Sequence, residues 1–321
     1  MSVEQDSKVS SEHDQSKNLT NLKRFDGPAG VQARLAALGV AVWAMLPEVL
    51  NALVAEAAAP DEPTEPESKI PRLPAVKGSV AVVPVVGVIG QRRDWWSDVG
   101  ADTLGRQLDE LMAAPSIGAV VLNIDSPGGS VYGVPELGEK IRGYRDAGKP
   151  IYAVANATAF SAAYWIGSQA KKLFVIPSGK VGSIGVWSAH VDVSKWEEDQ
   201  GVKTTLVHAG KYKVEGHPWA PLDEEARAEM QRSVDHYYGM FLDAAAAGRG
   251  VKTSEVRDNY GQGRLIEAPR AVELGMVDGI ATLDEVIAGL LKTDRDRQAA
   301  VEDLRMAEAE IGIREATFRG A

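Results

Sequence analysis

Apolar, β-branched runs alternate with amphipathic stretches along most of the chain. The runs predict strands at Val80 to Ile89, Ala119 to Ile124, Ile151 to Ala155, Leu173 to Ile176, Ile184 to Val193 and Thr204 to Val207. The amphipathic stretches predict helices at Thr103 to Ala113, Val134 to Asp146, Ala159 to Gln169 and Glu224 to Ala247. Such alternation indicates an α/β fold with largely parallel strands that are buried on both faces.

The N-terminal part of the chain has a different pattern. Residues 1–33 are polar and charged, which predicts a disordered tail and does not resemble a secretory signal. Residues 34–59 contain an uncharged run, Leu35 to Leu46, that is shorter than the ~18 residues of a membrane span. We expect a helical N-terminal extension that packs on the main domain or on a neighbouring subunit. The alternative is a membrane anchor through residues 35–55.

The remaining segments define the domain organisation. Residues 60–77 form a Pro-rich acidic linker, and residues 78–291 contain the alternating strands and helices of the main domain. Residues 292–321 are a charged, helix-prone extension without candidate site residues.

Composition and charge exclude several function classes. The chain has 321 residues, 45% of them hydrophobic, which is enough for one sizeable core. Its net charge of −10 argues against nucleic acid or an anionic membrane as the main partner. The absence of Cys excludes disulfides and thiol catalysis and is compatible with the cytoplasm. HExxH, paired CxxC and Walker motifs are also missing, so we expect no cofactor, metal or bound ATP.

One serine stands where nucleophiles are often placed. Ser161 follows the apolar run Ile151 to Ala155 and begins a stretch of small residues, so it should lie just past a strand, in the first turn of a helix. Upstream, another apolar run ends in Asp125-Ser-Pro-Gly-Gly-Ser130. Glycines in such a turn let backbone N–H groups approach a reacting carbonyl. The two segments together predict a serine nucleophile and an oxyanion hole.

A serine nucleophile needs a base, and two residue types are available. A lysine can accept the proton only when it is neutral, which requires burial or cationic neighbours. Lys211 and Lys213 stand two residues apart in the segment Ala209 to Pro218. The alternative base is a histidine of a Ser-His-Asp triad, for which His190 is the best candidate. However, His190 lies in an apparent alternating strand, where a structural histidine is the more usual occurrence.

Five segments in order resemble the signal-peptide-peptidase-like S49 serine peptidases, over about Gly78 to Leu291. The segments are Asp125 to Ser130, Phe160 to Trp165, Val181 to Val186, Ala209 to Pro218 and Gly263 to Gly279. The resemblance implies a Clp/crotonase-like fold of repeated ββα units. It also implies a Ser-Lys dyad of Ser161 and Lys213, with Lys211 as the second choice of base.

Further site residues follow from the same resemblance. It implies that Ser183 orients the lysine amine by a hydrogen bond. The expected oxyanion donors are the backbone N–H groups of Gly129 and Ala162, while Gly128 either donates as well or serves only to make the turn.

The implied function is that of a serine endopeptidase acting on polypeptides. The segment Ala41 to Glu48 and the single-protease size resemble the phage branch of the family, which processes capsid and scaffold proteins during head maturation. Capsid, portal or scaffold proteins are then the expected partners, in the host cytoplasm or the procapsid, and nucleic acid is not. The resemblance also implies a homo-oligomeric ring that shares the dyad between subunits. The alternatives are a bacterial signal-peptide peptidase and a non-proteolytic crotonase-like acyl-CoA enzyme, which would leave Ser161, Ser183 and Lys213 unexplained.

Overall fold

The strands of the protein form two sheets. The computed structural model describes residues 42–50, 52, 74–94, 96–295, 298 and 302. Its strands, in chain order, are β1 (Val42–Met45), β2 (Ala75–Lys77), β3 (Val80–Val86), β4 (Ile89–Gly90), β5 (Val99–Gly100), β6 (Ala119–Ser126), β7 (Gly128–Ser130), β8 (Ile151–Phe160), β9 (Lys172–Val175), β10 (Lys180–Gly182), β11 (Trp187–Ser188), β12 (Leu265–Glu267) and β13 (Gly279–Ile280).

The helices cover and connect these strands. They are α1 (Ala101–Ala113), α2 (Val134–Asp146), α3 (Ala162–Ser168), α4 (Ser194–Asp199), α5 (Glu224–Arg249), α6 (Thr253–Asn259) and α7 (Ala268–Glu273), and residues 47–50 and 283–295 are also helical. The longest helix, α5, has clear end signals. The Asp223 carboxylate accepts a hydrogen bond from the Ala226 N–H (2.8 Å), and Gly250 ends the helix in the left-handed conformation.

The larger sheet holds the main core. Its strand order is β12-β10-β8-β6-β3-β2, and β9 pairs with both β8 and β13. The central strands β3, β6 and β8 run parallel. Val120, Val121 and Leu122 of β6, whose side chains point to alternate faces, are completely buried, as expected for a strand covered on both faces.

The smaller sheet has the order β11-β1-β7-β4-β5. It contains Gly128 and Gly129, which were predicted to lie in a turn and instead begin strand β7. We keep the name Gly-Gly turn for this pair. Strand β1 lies between β7 and β11 and is antiparallel to both. This sheet packs beside the C-terminal ends of the strands in the larger sheet, because β6 leads directly into β7 through Pro127.

Helices α3 and α5 pack together behind the site. The rings of Trp165 in α3 and Phe241 in α5 are stacked, with centroids 4.6 Å apart and planes 14° apart. Gln169, just past α3, donates a hydrogen bond to the Ala244 carbonyl of α5 (2.9 Å). These contacts join α5 to the short helix that follows Ser161.

The α/β prediction is confirmed, with corrections in the N-terminal region. The expected helical extension is wrong at Val42–Met45, which form strand β1 because both of its neighbours offer antiparallel backbone partners. The rest of residues 34–59 lies outside the described part, apart from 46–50 and 52. The predicted linker over 60–77 is wrong at Ala75–Lys77, since β2 pairs with β3 and extends the sheet. Within the described ranges, no helix has the length and apolar character of a membrane span.

Other element boundaries also differ from the prediction. Residues 202–208 form no strand and are mostly exposed, so the prediction at Thr204 to Val207 is wrong. The strand expected at Ile184 to Val193 is reduced to β11. The strand expected to end at Ala155 continues to Phe160, and the next helix begins at Ala162. At the C-terminal end, residues 292–295 continue the helix that begins at 283, so this helix crosses the predicted boundary at 291.

The packing of α5 allows a test of the fold. A Cβ on Gly248 would lie 2.3 Å from the Ser168 carbonyl oxygen, whereas a Cβ on Gly239 of the same helix would meet nothing within 4 Å. We expect Gly248→Ala to lower the free energy of unfolding by about 1–3 kcal/mol through overpacking. Gly239→Ala should raise it by about 0.5–1 kcal/mol, because alanine loses less backbone entropy in a helix. Urea unfolding measures both, and equal effects would contradict the packing of α5 on α3.

Candidate active site

Ser161 occupies a strained junction between β8 and α3. Its backbone angles are φ 53° and ψ −118°, which a non-glycine residue rarely adopts. Two hydrogen bonds hold this conformation: the Ser161 N–H donates to the Gly182 carbonyl (2.8 Å), and the Ser161 carbonyl accepts from the Trp165 N–H (2.9 Å). The predicted placement at a strand end is confirmed, with Ser161 directly before the first helical residue.

The Gly-Gly turn lies against Ser161. Gly128 has a φ of +98°, and a Cβ at this position would lie 3.0 Å from the Ser161 Cβ. A Cβ at Gly129 would lie 1.8 Å from the Ile89 carbonyl oxygen. Both positions therefore require glycine, one for its backbone angle and close approach to Ser161 and the other for contact with β4.

Ser126 is a residue of the turn that the sequence analysis did not single out. Its hydroxyl donates to the Gly87 carbonyl (2.7 Å) and accepts from the Gly128 N–H (3.2 Å), and the residue is completely buried. The signal in the sequence was a polar residue at the end of a buried strand. Because the Gly128 N–H donates to Ser126, this donor already has a partner, and Gly129 and Ala162 stay the predicted oxyanion donors.

Ser183 lies close to the nucleophile candidate. It follows β10, whose residue Gly182 is the register partner of Phe160 in β8. Ser183 has a φ of 53°, is 7% exposed, and donates its N–H to the Arg264 carbonyl (2.9 Å). The Ser161 hydroxyl points in this direction, since it donates to the Gly185 carbonyl at 3.4 Å. The structure thus brings together Ser161, Ser183, the Gly-Gly turn and the first residue of α3, Ala162.

Lys213 does not join this group within one chain. It is exposed in a turn over residues 211–216, where its N–H donates to the Gly210 carbonyl (3.2 Å). Over the described ranges, no hydrogen bond links Lys213 with Ser161 or Ser183. Its role as the base therefore stays a prediction.

The second lysine is a poor candidate for the base. The Lys211 ammonium donates to the Tyr212 hydroxyl (2.8 Å) and pairs with the Glu225 carboxylate (2.9 Å). These partners, Tyr212 first, raise the pKa of Lys211. A base must release its proton near neutral pH, so these contacts favour Lys213 over Lys211.

His190 has a different partner from the one that a triad requires. One of its ring nitrogens, Nε2, lies 3.1 Å from the Ala220 carbonyl oxygen, and none of its hydrogen bonds in the described structure involves Ser161. His190 also lines a cleft with Lys211, Tyr212 and His217.

The described residues contain no group of three or more His, Cys, Asp or Glu side chains that could hold a metal ion.

Part of the chain is similar to a known peptidase family. Residues 144–296 match the family model described as Peptidase family S49. The match covers just under half of the chain. The matched range contains Ser161, Ser183 and Lys213, whereas the Gly-Gly turn precedes it. This match and the mixed α/β sheets confirm the Clp/crotonase-like fold class expected from the sequence.

Individual proteins that are similar to this chain include phage and bacterial proteins. "Head-tail preconnector protein GP5" of Enterobacteria phage P21 is 30% identical over 62% of this chain and 39% of its own length. "Capsid assembly protease C" of Escherichia phage lambda is 28% identical over 63% of this chain and 45% of its own. "Putative signal peptide peptidase SppA" of Enterococcus faecium is 29% identical over 61% and 56%. The chain thus spans about half the length of these relatives or less.

The hydroxyl of Ser126 gives a prediction for this site. Ser126→Ala leaves the Gly128 N–H and the Gly87 carbonyl without their buried partner, which should lower the free energy of unfolding by about 1–3 kcal/mol. Ser178→Ala is the control, because Ser178 is exposed and should change stability by less than about 0.5 kcal/mol. Thermal and urea unfolding check both variants. A Ser126→Ala protein as stable as the control would show that the hydroxyl does not hold the turn.

Proposed function

We propose that this protein is a serine endopeptidase with Ser161 as its nucleophile. The observation that carries the proposal is the strained position of Ser161 beside the Gly128–Gly129 turn. Strain of this kind costs on the order of 1–3 kcal/mol and is retained where the surrounding structure enforces it, often at active sites. The match of residues 144–296 to peptidase family S49 supports the same reaction class.

The proposed reaction gives each of these groups one role. Lys213 Nζ, when neutral, takes the proton of the Ser161 hydroxyl as Oγ attacks the carbonyl carbon of the substrate. The N–H groups of Gly129 and Ala162 donate to the oxyanion that forms. The C–N bond then breaks, the lysine returns its proton to the leaving amine, and an acyl-Ser161 ester remains. Water hydrolyses this ester by the same proton path, and Ser183 positions the lysine amine.

We further propose that the dyad forms between neighbouring subunits of a homo-oligomer. In one chain Ser161 is 1% exposed, whereas Lys213 lies in an exposed turn and forms no described bond to Ser161. If Lys213 is the base, its exposed position is explained when the turn over residues 211–216 reaches the active site of the next subunit.

The proposed substrates are phage capsid, portal or scaffold proteins, in the host cytoplasm or the procapsid. The names of the two phage relatives support this role. A second candidate is degradation of signal peptides, which the name of the Enterococcus faecium relative supports. A crotonase-like acyl-CoA activity has no support from the site, because it leaves Ser161, Ser183 and Lys213 without a role.

Substitutions test the dyad. Ser161→Ala and Lys213→Ala should each lower kcat/KM for a peptide by at least about 10³-fold, because each removes a group that the chemical step needs. Lys211→Ala and His190→Ala are the matched controls and should retain a substantial fraction. Circular dichroism confirms folding of each variant. If His190→Ala is as inactive as Ser161→Ala, the base is a histidine.

A complementation experiment tests the shared site. Ser161→Ala protein and Lys213→Ala protein are mixed under conditions that allow subunit exchange, and peptidase activity is followed. Mixed oligomers contain sites with an intact Ser161 from one subunit and an intact Lys213 from the next, so activity should reappear from two inactive parents. Verified mixed oligomers that stay inactive, or a dilute monomer with full activity, would place the dyad within one chain.

A further inference from the structure

Strand β1 is an extended segment that passes beside Ser161. It lies between β7 and β11 and pairs with both through its backbone. Addition of an extended segment to open strand edges is a common way for proteins to hold a peptide, because the backbone supplies affinity and alternate side chains supply specificity. Here the segment comes from the chain itself.

The antiparallel register of β1 and β7 places Ala44 opposite Gly129, the predicted oxyanion donor. The Val131 N–H donates to the Val42 carbonyl (3.3 Å), and the Leu46 N–H donates to the Pro127 carbonyl (3.3 Å). Hydrogen-bonded pairs alternate along an antiparallel ladder, and Ala44 and Gly129 are opposite each other, midway between these two pairs. The Gly129 N–H therefore faces the Ala44 carbonyl oxygen.

The same carbonyl lies beside the nucleophile. A Cβ on Gly128 would be 2.2 Å from the Ala44 carbonyl oxygen and 3.0 Å from the Ser161 Cβ, so these two atoms border one small space. Ala44 is completely buried, and Ser161 is 1% exposed. An external peptide has no access to a serine that is covered in this way.

The side chains of β1 alternate between two apolar surroundings. Val42 and Ala44 join the main core, while Trp43 and Met45 pack with Leu50 and Val88. The rings of Trp43 and Trp96 pack edge to face, with their centroids 5.2 Å apart. Trp187 Nε1 donates a hydrogen bond to the Met45 carbonyl (3.0 Å). The residue whose carbonyl lies beside the nucleophile is thus a small one, and the large residues on either side of it pack in a separate apolar cluster.

We propose that β1 is an internal occupant of the substrate groove, seated with Ala44 at Ser161, and that it competes with external peptides. This inference rests on the proposed peptidase function. It implies that the groove takes extended apolar segments with a small residue at the cleaved bond and an aromatic residue before it. Peptides reach Ser161 only when β1 leaves, so the apparent activity scales with the fraction of chains in which it has left.

A reversible lock of β1 tests the proposal in the full-length oligomer. The chain contains no cysteine, so Val42→Cys with Ser188→Cys introduces a single pair at register partners in β1 and β11. The control is Ala75→Cys with Val82→Cys, which are register partners in β2 and β3. The substrate is a fluorogenic peptide with the sequence of residues 41–44 and a leaving group on the alanine carbonyl. Mass spectrometry verifies each disulfide.

We expect oxidation of the β1–β11 pair to lower kcat/KM by at least about tenfold, and reduction to restore it. Oxidation of the control pair should change nothing. If the protein with the verified β1–β11 disulfide hydrolyses the peptide as fast as the reduced protein, β1 does not occupy the substrate groove. In that case, loss of hydrolysis in Ser161→Ala would still support the peptidase proposal. If no hydrolysis depends on Ser161, the peptidase proposal and the internal occupant both fail.

Discussion

The hydrogen bond from the Ser161 N–H to the Gly182 carbonyl is the contact on which the site depends. It joins the ends of the parallel strands β8 and β10 at 2.8 Å and holds Ser161 at a positive φ. In the same strand pairing Gly182 is the register partner of Phe160, so Ser161 and Ser183 each follow directly after paired residues. The helix that follows is fixed from behind by the stacked rings of Trp165 and Phe241. Strain at the serine is thus maintained by packing that has no part in the chemistry.

A second set of constraints acts on the opposite side of the serine. The Gly-Gly turn approaches Ser161, β4 and β1 so closely that side chains at Gly128 and Gly129 would overlap backbone atoms. The buried Ser126 hydroxyl ties this turn to Gly87. Consequently the donors expected to meet an oxyanion sit on a rigid scaffold, which is the condition for electrostatic stabilisation of a transition state.

Local patterns predicted much of this arrangement, and tertiary contacts determined the rest. The helix Val134–Asp146 has the predicted bounds, because its apolar period is regular and proline stands in its first turn. The serine and the Gly-Gly turn were also found, since both follow buried strands. Strand β1 was missed because the run Leu35 to Leu46 has no alternation, and its partners lie more than 80 residues away in the sequence. The surroundings of Lys213 could not be predicted for the same reason, because the residues that contact a turn come from distant parts of the sequence.

Covalent labelling of Ser161 tests the central claim most directly. The full-length oligomer is treated with a fluorophosphonate, and the adduct is located by tandem mass spectrometry. The account predicts one adduct per chain, on Ser161, with none in Ser161→Ala and much slower labelling in Lys213→Ala. An adduct on another serine that persists in Ser161→Ala, or no adduct in a preparation that hydrolyses peptides, would contradict it.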